Sequence, residues 1–378
     1  MSSADPIAPF VEALNHHRVR LQRMAAAGER LVGYFCTYTP VEIIHASGFV
    51  PVRVSGEPGP VAKAYAHIPD FICPFMKHTL EKAVNGEYDF LFGMVQGYTC
   101  DVACGMINIW KAKFPDHIVH TIPIPYNDTP EARSYCRSSL QELISCLETA
   151  GGSFSDAALN RSLALYVKMR RQLIDLYEGR YDGRLSLDAG DLLTIVRAGS
   201  VLPPEEFTPM LEMVRQTYLH EETEGKKGIP VLISGSLIEE RSMVDAVEAA
   251  GGRIVADDLC TGWRSIYPEA GNGENAIDRI IDRILRRFPC PARSRAMSRA
   301  EELLTLLERS GARGVIFLVQ KFCTPHLADI PILSEELKNK GYPVLMVEID
   351  ESFRMEGQLE TRLESFFEMI EGAGGKDG

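Results

Sequence analysis

The order of segments in this chain occurs twice, and that repetition restricts its fold more than any other feature. In the first half an apolar run, Leu31 to Phe35, leads to the short helix VEIIHAS behind Pro40, then to Gly48 and a second apolar run from Phe49 to Val54. In the second half IPVLISGS, MVDAVEAA, Gly251-Gly252 and RIVADDL repeat the arrangement. Each half then carries an apolar strand that ends near a cysteine. In DFLFGMVQGYTCDVACGMINIW, Asp89 to Trp110, a strand is expected over Phe90 to Val95, with a break at Gly97 and Cys100 ahead of an apolar helix. In GVIFLVQKFCTPHLADIPIL the strand is Gly314 to Gln320, and Cys323 takes the place of Cys100. His117 to Ile124 and PVLMVEID follow as the last strand of each half. Strands that alternate with helices in this way form parallel sheets with right-handed crossovers. The expected fold is α/β: two doubly wound parallel-sheet domains of flavodoxin-like type, related by an internal pseudo-repeat, with a helical connector.

The remaining segments fill in that plan. Residues 7 to 27 read as one amphipathic helix ending at Gly28, and Phe71 to Val84 as a helix beginning near Cys73-Pro74. Between them SGEPGPVAKAYAHIPD is too long and too punctuated for a simple turn. From Thr129 to about Glu222 the pattern is helical, interrupted near Gly151, at Gly179 to Gly183 and at Pro203-Pro204. The charged stretch EETEGKKG marks a boundary near residue 225. The expected parts are an N-terminal helix (1–28), a first α/β domain (29–128), the connector (129–225) and a second α/β domain (226–378).

Composition narrows the function. Among 378 residues, 40 basic against 52 acidic side chains give a net charge of −12, which argues against a nucleic-acid partner. No apolar run is long enough to span a membrane, and MSSADPIAPF lacks the basic-then-apolar pattern of a signal peptide, so a cytoplasmic chain without a membrane partner is expected. Nine scattered cysteines, an odd number, are not expected to form disulfides, which leaves metal binding or ordinary burial. There is no C-x-x-C pair; Cys100 and Cys104 are spaced C-x-x-x-C on a helix.

The repeat matches Cys73 with Cys290 and Cys100 with Cys323; in each half one of the two cysteines begins a helix and the other ends a strand. If the halves face each other across a cleft, the strand-tip cysteines converge. Thiolates select soft metals, and several from separate loops suit an iron–sulfur cluster. Helix N-termini would also stabilise the thiolates. Burial is the competing explanation, because free cysteine commonly packs as a small hydrophobe. It accounts for Cys136 and Cys146, inside helical segments.

GYFCTYTPVEIIHASGFVPVRVSG, FICP, GYTCD, DDLCTGWR and QKFCTPH, with VRAGSVLPPEE and GQLETRLESF, resemble the 2-hydroxyacyl-CoA dehydratase and benzoyl-CoA reductase family from about Gly33 to Ile370. The resemblance implies a [4Fe–4S] cluster held by three cysteines, with an open iron position. Carried over by motif, the ligands are Cys73 in FICP, Cys100 in GYTCD and Cys323 in KFCTP. Cys290 is not implied, and Cys260 in DDLC is structural on this reading. A double-cubane relative would carry a further Cys-Pro motif between Cys73 and Cys100, which this chain lacks.

The same resemblance implies an acyl-CoA thioester substrate, a related second subunit (a heterodimer, or pairing with itself) and a separate ATP-hydrolysing iron–sulfur activase. No Walker A loop is present, so ATP hydrolysis falls to that partner. One-electron reduction of a 2-hydroxyacyl thioester to a ketyl radical lowers the otherwise prohibitive barrier to β-proton removal. An aryl-CoA reductase, a double-cubane reductase or a non-catalytic electron-relay subunit are the alternatives. Thr37 and Glu57 are the expected catalytic groups, with Tyr38 and His326 as further polar neighbours. Against these roles, Thr37 could cap the Pro40 helix and Glu57 could be a solvated loop carboxylate. Asp101 reads as a helix cap and His45 as a packed histidine. The arginine run from Arg279 to Arg299 would hold CoA phosphates, meet the activase, or form a solvated helix face.

Overall fold

The computed structural model of the chain describes residues 5–220, 227–350 and 357–374. It contains two four-stranded sheets whose strands all run parallel. The first holds β1 (Leu31–Tyr34), β2 (Val50–Arg53), β3 (Gly93–Tyr98) and β4 (Ile118–Pro123) in the order β2-β1-β3-β4. The second holds β5 (Ile229–Gly235), β6 (Gly252–Asp258), β7 (Val315–Gln320) and β8 (Val344–Ile349) in the order β6-β5-β7-β8. Relabelled, the two orders are the same, so the pseudo-repeat in the sequence is a repeat of topology. Each is the beginning of the flavodoxin-like order, which places ligands at the carboxyl ends of the strands. All six residues of β7, VIFLVQ, are buried, as in a central strand covered on both faces.

The first five helices are α1 (Ala8–Asn15), α2 (His17–Ala26), α3 (Val41–Ala46), α4 (Pro74–Val84) and α5 (Asp101–Lys113). Between the sheets run α6 (Pro130–Thr149), α7 (Asp156–Tyr181), α8 (Ala189–Ala198) and α9 (Pro204–Tyr218). The second sheet has α10 (Ser242–Ala249), α11 (Trp263–Ile266), α12 (Ala276–Leu285), α13 (Ala296–Ser310), α14 (Thr324–Asn339) and α15 (Gly357–Gly374). Starts follow local chemistry: Thr129, Ser155, Asp188 and Asn275 each accept a hydrogen bond from the third amide of the helix they cap. None of the helices among the described residues is long and apolar enough to cross a membrane.

Three local expectations are corrected, and the boundary near residue 225 lies outside the described residues. The single N-terminal helix is broken at His16, because its two parts dock on different cores. Phe10 of α1 packs edge-on against Phe207 of α9 at 5.6 Å, whereas Leu21 of α2 joins the core beneath the first sheet. The strand expected over Phe90 to Val95 lies three residues later, and Gly97 is inside it. Pairing with β4 sets this register, from Gly93 opposite Ile118 to Tyr98 opposite Pro123. Glycine at 93 permits it, since a Cβ there would stand 2.3 Å from the Ile118 carbonyl oxygen. Finally, Cys290-Pro291 does not open a helix as Cys73-Pro74 does; α13 starts only at Ala296.

The interior crosses the sequence segments. One core joins Phe10, Phe207 and Leu176 to Leu303, Val315 and Phe317, so the connector helices and the second sheet share it. Another joins Val32 and Val95 to Leu143 of α6 and Ile281 of α12.

Candidate metal centre

Cys73, Cys100 and Cys323 share one local geometry: each is the residue directly before a helix, at the N-caps of α4, α5 and α14. Cys100 and Cys323 are also just past the tips of β3 and β7, the central strands of the two sheets. At Cys100 the sulfur accepts a hydrogen bond from the Ala103 amide at 3.4 Å. The equivalent amides of Met76 and His326 act in the same sense on Cys73 and Cys323 without closing a full hydrogen bond. Three helix N-termini therefore direct their positive ends at three sulfurs. Phe322, immediately before Cys323, is the one non-glycine residue with positive φ (62°) among the described residues, a conformation L side chains seldom adopt.

Burial dominates the ionisation of all three. It pushes the Cys73 thiol up to about 11, against the Met76 amide and the Lys77 charge. It raises Cys100 against the Ala103 amide, and the neighbouring Cys73, Cys36 and Cys290 raise it further. It lifts Cys323 well above the ordinary thiol value, reinforced by Cys73, Cys260 and Cys100. Thus Cys73, Cys100 and Cys323 lie within electrostatic reach of one another, all free of disulfides. Such thiols ionise only when a strong positive partner replaces water, and a coordinating metal does this outright. Among the described residues no three His, Cys, Asp or Glu side chains close around one point as a single ion requires. Three thiols within electrostatic reach of one another are the donor type a polynuclear cluster needs, soft thiolates on separate irons. The donor set fits such a group.

Three further cysteines border the site. Cys36 follows β1, and its thiol, raised by burial and then by Cys290, is opposed by a hydrogen bond with Thr99 next to Cys100. Cys260 accepts from Arg264 Nη1 at 3.2 Å; burial still pushes it up to about 12. Arg264 is itself fixed by Asp258 at 2.6 Å, and Asp258 also binds Arg299 at 2.9 Å. Cys290 is buried in the core of the first sheet. Sequence reasoning gave Cys36 no role, because its proximity to Cys100 arises only from sheet pairing. Two buried glutamines hold the strand tips. Gln96 accepts from the Phe35 and Cys36 amides at 3.0 and 3.1 Å, while Gln320 accepts from the Phe75 amide at 3.2 Å and donates to the Leu237 carbonyl at 3.0 Å. The "Gln, then turn, then Cys" spacing of VQGYTC and VQKFC was the signal available for them.

The expected polar groups separate. Thr37 adjoins Cys36 but does not cap α3; its hydroxyl accepts from Arg287 Nη2 at 3.0 Å and it lines a small cavity. Glu57 turns away from the thiols to Lys82 at 2.6 Å, in the half of α4 remote from Cys73, and lines an open cleft of about 840 Å³ with Arg197 and Arg241. His326 is buried beside Arg264, and burial followed by the Arg299 and Arg264 charges keeps it neutral, well below the usual histidine value. The Tyr38 ring lies 4.3 Å under the Arg287 guanidinium. His45 packs edge-on against Tyr166, bonds Ser162 at 3.0 Å and faces Glu205 at 3.0 Å. The arginine run is not one solvated face: Arg283, Arg287 and Arg299 are buried, and Arg286 is exposed.

The sequence profile described as "2-hydroxyglutaryl-CoA dehydratase, D-component" matches residues 36–370. The chain is 28% identical to a benzoyl-CoA reductase subunit of Thauera aromatica, over 91% of this chain and 92% of that one. It is 27% identical to the lactoyl-CoA dehydratase subunit beta of Anaerotignum propionicum, over 92% and 93%. To the (R)-2-hydroxyglutaryl-CoA dehydratase subunit beta of Acidaminococcus fermentans it is 24% identical, over 93% and 96%. The matched span takes in the second sheet, β2 to β4 of the first and every cysteine of the site, and the chain belongs to the 2-hydroxyglutaryl-CoA dehydratase D-component family.

Proposed function

We propose that the chain is the iron–sulfur subunit of a 2-hydroxyacyl-CoA dehydratase-type enzyme, with Cys73, Cys100 and Cys323 holding a [4Fe–4S] cluster. What supports this reading is that three helix-capping thiols from both halves of the fold lie within electrostatic reach of one another. When bound, the cluster supplies low-potential single electrons and Lewis acidity toward a thioester carbonyl. The chain's own residues do the rest. The three helix N-termini stabilise the thiolates, and Gln96 and Gln320 fix the strand tips that carry them. The three cysteines are half-buried, which limits the access of water to the sulfurs. Thr37, held by Arg287 next to Cys36, serves as a hydrogen-bonding group beside the site. Glu57 acts from the open cleft, where the Lys82 ammonium pairs with its carboxylate.

Relatives named as beta subunits support a partner subunit for this chain. An ATP-dependent activase supplies the electrons, and an acyl-CoA thioester receives them. The comparable likeness to a benzoyl-CoA reductase subunit supports a second reading, reduction of an aryl-CoA.

The test is anaerobic purification with iron and sulfide analysis and optical spectra. The chain should carry iron and sulfide in equal amount with cluster absorbance, and Cys100→Ala should lose both. An unchanged spectrum in that variant overturns the ligand assignment. Turnover of the complete complex with its activase, on 2-hydroxyacyl-CoA and aryl-CoA panels, separates the two readings.

A further inference from the structure

Behind Thr37 three buried guanidiniums face a single carboxylate. Arg170 of α7 is ion-paired with Glu42 of α3. Arg283 of α12 and Arg287, just beyond its end, are 8% and 5% exposed, and neither makes an ion pair among the described residues. Arg283 donates to the carbonyls of Pro268 at 2.9 Å and Ser265 at 2.7 Å. Arg287 donates to the carbonyls of Thr37 at 2.5 Å and Arg264 at 2.7 Å. Carbonyl dipoles solvate these charges but do not neutralise them. An arginine does not lose its proton inside a protein, and a buried charge without a counter-charge is costly. The crowding is mutual: burial, then Arg170 and Arg287, hold Arg283 well below the ordinary arginine value.

Beside this cluster lies a cavity of about 90 Å³, lined among others by Arg283, Thr37, Thr261, Ser265 and the Arg170–Glu42 pair, whose carboxylate is already matched by Arg170. The Thr261 hydroxyl, on a residue only 3% exposed, has no hydrogen-bond partner. Arg53 also borders the cavity, but Glu239 at 2.6 Å already neutralises it. Met169, Leu173 and Val196 form an apolar wall. The space equals roughly three water molecules, enough for a carboxylate with a tail of one or two carbons and too little for a coenzyme or an aromatic ring.

We propose that this cavity is a binding site for a small free carboxylate, whose charge offsets the unpaired Arg283 guanidinium at its wall, with Arg287 behind it, and whose aliphatic end lies against Met169, Leu173 and Val196. A planar guanidinium matches a carboxylate in geometry, and Thr261 supplies a donor that is otherwise unused. The apolar wall selects a carboxylate over phosphate. Thr37 and Thr261 directly follow Cys36 and Cys260, so occupancy fixes the loops that carry those cysteines and ties α3, α7 and α12 together. The inference does not depend on what the cysteines hold.

The test uses the full-length protein after exhaustive dialysis into carboxylate-free buffer at constant ionic strength. Equilibrium dialysis with labelled propionate should show one saturable class of site per chain, and propionate should raise the melting temperature saturably. Inorganic phosphate at equal ionic strength should do neither. Arg283→Met should weaken propionate binding roughly tenfold or more, and the exposed Arg286→Met should leave it unchanged. Thr261→Val serves if Arg283→Met does not fold: it should weaken propionate binding while leaving the protein without propionate at least as stable as the wild type, because the lost hydroxyl was unpartnered. Non-saturable binding, equal competition by phosphate, or wild-type affinity in Thr261→Val or in a folded Arg283→Met overturns the proposal.

Discussion

Glu42 is a carboxylate buried among guanidiniums, and its ionisation follows from that setting. Burial pushes its pKa up, but Arg170, Arg283 and Arg287 together with its own amide outweigh burial and hold it below the usual glutamate value. A carboxylate depressed in the folded state contributes stability that is complete above the unfolded value and disappears as pH falls through the folded one. Glu42→Gln should therefore cost about 3–5 kcal/mol at neutral pH, since it leaves Arg170 buried without its partner. It should also flatten the loss of stability on acidification below the ordinary glutamate range. Urea unfolding of both proteins across that range checks the claim; parallel acid limbs would assign the pH dependence to other carboxylates.

At the scale of elements, strand tips and helix starts do the positioning. β3 and β7 end close before cysteines that cap the next helices, so each sulfur is placed by a buried strand on one side and a helix dipole on the other. The position of β3 depends on the absence of a side chain at Gly93, where a Cβ would meet the Ile118 backbone. Gly93→Ala should destabilise by about 3 kcal/mol, as overpacking against backbone does. Gly105, exposed on α5 with nothing within 4 Å of where a methyl group would sit, is the contrasting case. Gly105→Ala should stabilise by about 0.5–1 kcal/mol. Chemical denaturation of the two variants reads both signs, and a neutral Gly93→Ala would show that the β3–β4 pair can shift.

Across the whole molecule the two sheets are not independent. The buried Arg53–Glu239 pair at 2.6 Å joins β2 to the segment after β5, and Arg287 reaches across to Thr37. The core of the second sheet also includes α1, α7 and α9. Residues 227–378 expressed alone would expose that shared surface, so they should fail to give a cooperative unfolding transition. The intact chain should unfold with its two halves coupled. Scanning calorimetry of fragment and full chain decides; a fragment with its own sharp transition would show that the second sheet needs no connector.

Local patterning made the fold legible. Alternating strand and helix periods, repeated in order, determined two parallel sheets of equal topology, because each element's apolar face is written in its own residues. The loops that carry Cys73, Cys100 and Cys323 were legible for the same reason, since turn residues beside a cysteine are visible locally. Other features depended on which surfaces meet. The break at His16 arises because two successive turns dock on different cores. The late start of β3 follows from its fit to β4. Cys36 reaches the Cys100 loop only through sheet pairing. Arg283 and Arg287 read as part of one basic run with Arg286, yet packing of α12 against α6 and α7 buried two of the three. A sequence records which side chains are charged; only tertiary packing decided which of those charges were left inside without a partner.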